Sequence, residues 1–91
     1  MPTMHALLTA HTEHLITNCY GSRNAYNLRR LLHDRPDVEF DTDVGTDTQR
    51  SVTVKQAFDE GFDEILVRDG TTGRSVARIV WNPRLELVVV V

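Results

Sequence analysis

His11 and His14, three residues apart, and Cys19, five further on, are residue types that ligate zinc through imidazole nitrogen and thiolate sulfur. No second pair of ligands at conventional spacing completes a tetrahedral set. His11 falls within the apolar stripe of the helix that surrounding residues predict, and Cys19 lies beyond its end. Cys19 as a nucleophile would need a base and an orienting acid that the sequence does not supply. It also sits between the carboxyl end of one predicted helix and the amino end of the next, whose dipoles act on a thiolate in opposite senses. A metal-dependent or cysteine enzyme is therefore the weakest reading.

Two other patterns come close to ligand loops and fail on specific positions. Asp41, Asp43 and Asp47 surround Gly45 as in a calcium loop, but the glycine stands fifth rather than sixth and Val52 occupies the place of the bidentate glutamate. Gly70-Thr71-Thr72-Gly73 offers backbone amides and hydroxyls, yet strands are predicted on both sides and no lysine follows, so it reads as a hairpin loop and not a phosphate cradle. No pair of carboxylates is assignable as acid and base. The sequence assigns no catalytic residue, no metal ligand and no cofactor.

Recognition chemistry is better represented. Arg23, Asn24, Tyr26, Asn27, Arg29 and Arg30 cluster at the start of a predicted helix, and such side chains contact phosphates and base edges well. Against nucleic acid stands the overall charge of -3, which costs affinity for a polyanion. Glu39, Asp41 and Asp43 recur every second residue, about 6.6 to 6.8 Å apart on one face of an extended strand. That row complements a basic groove on another protein, and mimicry of a nucleic-acid backbone is a special case of the same complementarity.

The elements that position these residues belong to a chain of 91 residues and 10.4 kDa, which accommodates one domain spanning residues 1 to 91. Its charge is segregated. Residues 1 to 36 carry four arginines against Glu13 and Asp34 (+2), and residues 65 to 91 carry four against Asp69 and Glu86 (+2). Residues 37 to 64 carry nine carboxylates against Arg50 and Lys55 (-7). A single cysteine permits no intramolecular disulfide, and the amino end reads as neither a signal peptide nor a membrane span, so a cytoplasmic setting is expected.

Met4, Leu7, Leu8, His11, Leu15 and Ile16 fall at helical spacing and predict a helix over residues 4 to 18. Gly21 stops it, Ser22 caps the next helix, and Ala25, Leu28, Leu31 and Leu32 form the apolar face of that second helix up to Pro36. Val38, Phe40, Thr42 and Val44 alternate with acids as one strand. Thr53 and Gln56 have capping-box spacing ahead of a short helix that Gly61 ends. Residues 64 to 69, 75 to 81 and 85 to 91 then predict an antiparallel meander.

The expected fold is α+β in the order ααβαβββ, a helical hairpin and a short helix on a four-stranded, mostly antiparallel sheet. The apolar last strand is expected at the sheet centre. Val76, Val80, Val88 and Val90 would then form a second-face patch that a homodimer or another protein covers. The functional expectation is a non-enzymatic protein-interaction module, a phage-type inhibitor of a nucleic-acid-handling complex being one form. Its anchors would be Arg23, Arg30, Glu39, Asp41 and Asp43. A small DNA or RNA binder using the second helix is the alternative.

Overall fold

The structure is a computed structural model that describes residues 2 to 43, 49 to 82, 84 and 87 to 90, the side chains of 87 to 89 excepted. Its elements are β1 (Thr3–Leu8), α1 (Ala10–Cys19), α2 (Ala25–Asp34), β2 (Glu39–Thr42), β3 (Ser51–Thr53), α3 (Val54–Asp59), β4 (Glu64–Arg68), β5 (Ser75–Asn82) and β6 (Leu87–Val90). The α+β class agrees with expectation. The sheet, however, has six strands in the order β3-β2-β1-β4-β5-β6, with β1 and β4 parallel and every other pair antiparallel.

The two added strands have separate origins. Residues 4 to 8 form β1 and not the start of a helix, because Met4, Ala6 and Leu8 alternate into the core while Thr3, His5 and Leu7 face away. Thr9 then caps α1, its hydroxyl accepting the Thr12 amide at 3.0 Å. The helix therefore buries Thr12, Glu13 and Ile16, and His11 stands exposed outside the predicted apolar stripe. β3 is three residues long and passes directly into α3, whose Thr53–Gln56 capping box forms as the sequence predicts.

Inward residues of five strands converge on one core: Met4, Ala6 and Leu8, then Phe40, Val52, Ile65 and Val67, then Ala77 and Ile79. Ile16 of α1, Leu28 and Leu31 of α2, and Val54 and Ala57 of α3 complete it. The α1–α2 hairpin turns at Gly21, whose φ of 101° is a left-handed conformation that favours glycine. Asn24, not Ser22, caps α2, accepting the Asn27 amide at 2.9 Å.

The last strand is an edge strand and not a central one, since β6 pairs with β5 at the end of the sheet. The expected valine patch does not assemble. Val80 is in register with Val89, whereas Val90 is in register with Ile79 and Val88 with Trp81, so strand alternation separates Val80 from Val90. Val76 follows an irregularity in the β4–β5 pairing and packs against the core, as does Val90. Val44, Gly45, Asp47, Leu85, Glu86 and Val91 lie outside the described residues.

Candidate functional site

One end of the sheet is closed by a polar cluster. Asp69 follows β4, and its Oδ1 accepts the amides of Thr71 at 2.8 Å and Thr72 at 3.1 Å, folding the Asp69–Arg74 hairpin turn. Its Oδ2 lies 2.6 Å from Arg23 Nε. Glu13, on the first turn of α1, accepts the Thr71 amide at 3.1 Å and the Thr71 hydroxyl at 2.8 Å, and Arg23 Nη1 stands 3.9 Å from it. Burial acts to raise the pKa of Asp69, but the Thr72 and Thr71 amides, the Glu13 carboxyl and the Arg23 guanidinium together hold it below the ordinary value. The cluster ties three distant segments together, so Arg23 is a structural residue whose charge is already satisfied inside the fold.

The other proposed anchors lie on opposite layers. Arg30 stacks 4.6 Å from the Tyr20 ring centroid and 5.8 Å from that of Tyr26, on the outer face of α2. Tyr20 donates to Asp34 at 2.5 Å, a bond that raises the phenol pKa and lowers that of the carboxyl. Glu39 and Asp41 project from β2 on the face of the sheet away from the core, where Ser51 donates to Asp41 at 3.1 Å. Asp43 pairs with Arg68 at 3.5 Å. Arg30 thus stands on the helical layer, and Glu39 and Asp41 on the opposite face of the sheet.

The nucleic-acid constellation divides in the same way. Asn24 is consumed as a helix cap, and Asn27 is buried with its amide donating to the Ser22 carbonyl at 2.6 Å. Tyr26, Arg29 and Arg30 remain exposed. His11, His14 and Cys19 are exposed, His14 bonding Asn18 at 2.8 Å, and among the described residues no three His, Cys, Asp or Glu side chains converge on a common point.

The opposite end of the sheet carries a feature that sequence reasoning missed. Leu32 and Pro36 from the end of α2, Phe58 of α3 and Phe62 beyond it, and Trp81 of β5 enclose an apolar groove of about 990 Å³. Val54 and Val80 extend its walls. Trp81, the single tryptophan, is 46% exposed although Ala77 and Ile79, which precede it on the same side of β5, are buried.

Four of the charged side chains on the groove are engaged with one another. Arg78 Nε donates to Glu64 at 2.5 Å and Thr3 donates to the same carboxylate at 3.0 Å, bonds that hold its pKa below the ordinary value. Lys55 and Asp59 pair at 2.9 Å. Small-molecule sites need convergent polar groups aimed inward, and here Arg78 and Lys55 are spent on Glu64 and Asp59. The signal available in the sequence was weak: Phe58 and Phe62 are four apart, but Leu32, Pro36 and Trp81 reach them only through the fold.

Compared with protein-family models, with curated proteins and with solved structures, the chain matches none. Its sheet order and its groove are thus the ground on which function is argued. Among the described residues, no helix is long and apolar enough to cross a membrane.

Proposed function

We propose that this protein is a non-enzymatic interaction module that binds another protein through the groove around Trp81. The observation that supports the reading is an exposed tryptophan on an aromatic-walled groove whose two lining cations, Arg78 and Lys55, are paired with Glu64 and Asp59. Aromatic side chains of this kind dominate the energetics of protein interfaces. The exposed free thiol of Cys19 suits the reducing, cytoplasmic setting proposed with it.

The test is capture by tagged wild-type protein and by Trp81→Ala from nuclease-treated extracts of the source. A protein held stoichiometrically by the wild type and released by the variant supports the reading. Equal retention by both excludes the groove.

A second reading keeps nucleic acid as partner and rests on Tyr26, Arg29 and Arg30, which leave two guanidinium groups against exposed tyrosine on α2. It requires oligonucleotide affinity that falls steeply with salt and is lost in Arg29→Ala with Arg30→Ala.

A further inference from the structure

We infer that the cavity beside the polar cluster is a binding site for a tetrahedral oxyanion, a phosphate or sulfate group. The cavity, of about 580 Å³, opens between the α1–α2 connection and the β4–β5 hairpin, at the end of the sheet away from the groove. Thr17 and Ser22 line it from one wall, and Thr72, Arg74 and Ser75 from the other, with the Arg23–Asp69 pair joining the two. The inference is independent of the reading of the Trp81 groove.

The ligand class follows from which polar groups are left over. Asp69, the carboxylate on the lining, accepts the Thr71 and Thr72 amides and lies 2.6 Å from Arg23 Nε. Glu13, outside the lining, takes the Thr71 hydroxyl at 2.8 Å and stands 3.9 Å from Arg23 Nη1. Arg23 thus serves two carboxylates, and the loop amides serve Asp69 rather than the cavity. Arg74 forms no ion pair among the described residues, and the Thr17, Ser22 and Ser75 hydroxyls form no hydrogen bond among them. Thr72 Oγ1 accepts the Arg74 amide at 3.3 Å, and its own hydrogen stays free to donate.

An uncommitted guanidinium and hydroxyls on both walls suit an oxyanion, which accepts hydrogen bonds from several directions at once. Other ligand classes fit less well. A metal cation or an amine finds no uncommitted carboxylate on the lining, an apolar ligand finds Val76 as the one apolar side chain there, and a neutral polyol leaves the Arg74 charge unmatched.

The test is a titration of isotope-labelled protein with sodium phosphate and sodium sulfate, followed by amide resonances, with chloride as the control for ionic strength. Saturable shifts at Ser22, Thr72 and Ser75 are expected, with a dissociation constant on the order of 1 mM that rises about tenfold in Arg74→Ala, which removes an exposed and unpaired side chain. Trp81→Ala should bind the ions as the wild type does. Phosphoserine and a nucleoside monophosphate separate the sources of the group: tighter binding of either names the carrier, and binding equal to that of phosphate makes the free ion the ligand. Shifts that chloride reproduces, or that persist unchanged in Arg74→Ala, overturn the inference, as does a lack of saturation by about 50 mM phosphate.

Discussion

Arg23 Nε stands 2.6 Å from Asp69 Oδ2, joining the α1–α2 connection to the hairpin turn that follows β4 across 46 residues of sequence. The carboxylate is 7% exposed and the guanidinium 31%, so the pair lies in a region where water screens it only in part. Removing the cation leaves Asp69 and Glu13 with only the Thr71 and Thr72 donors to balance their buried charge. Arg23→Ala is expected to destabilise the fold by about 2 to 3 kcal/mol, and Arg30→Ala, on the open face of α2, by less than about 0.5 kcal/mol. Urea denaturation of both variants checks this, and equal midpoints would refute it.

Asp69 also sets an acid limit on stability. Its folded pKa lies below the ordinary value of 3.8, and the unfolded chain titrates near that value. Well above pH 3.8 the carboxylate is ionised in both states and its contribution is fully present; as pH falls through the folded pKa, the contribution is lost. Stability should therefore decline in the wild type as pH falls below about 5. Asp69→Asn should start lower at neutral pH and decline less steeply, which denaturation at a series of pH values measures.

Much of this architecture could be read from local pattern, and the exceptions have physical causes. Thr53 with Gln56, the Gly70–Gly73 loop and the alternation around Phe40 are interactions between near neighbours, so spacing alone predicts them. The stretch Met4-His5-Ala6-Leu7-Leu8 satisfies a helical stripe and a strand alternation at once, and the parallel partner that decides between them, β4, lies some 60 residues away. Thr9, which falls inside the helix expected over residues 4 to 18, is in fact the cap that marks the boundary. Arg23, Asn24 and Asn27 resemble a recognition surface by type, yet two are consumed by the α1–α2 turn and one by Asp69. The groove was invisible because its walls come from separate elements.

Gly70 offers a test of how closely the polar cluster is packed. A Cβ at this position would lie 2.6 Å from the Leu8 carbonyl oxygen and 3.2 Å from Glu13 Oε1, and the first of these is backbone at the end of β1. Gly70→Ala must therefore displace either the hairpin turn or the β1–α1 junction. A loss of about 2 kcal/mol or more is expected, against about 1 kcal/mol for Gly61→Ala, where only the φ of 100° is unfavourable and the space is open. Thermal denaturation of the two variants gives the order, and the reverse order would show that the turn yields easily.

Trp81 separates a binding role from a packing role. Phe40 is fully buried in the core, and Phe40→Ala should cost about 3 to 5 kcal/mol through lost burial and the cavity left behind. Trp81 is 46% exposed, with its ring over the groove and not within the core, so Trp81→Ala should cost less than about 2 kcal/mol. A residue that contributes little to folding while exposing this much aromatic surface can lose a large part of that exposure on contact with a partner. If denaturation instead shows Trp81→Ala to be as costly as Phe40→Ala, the indole is a core side chain, and the groove loses the anchor on which its binding role depends.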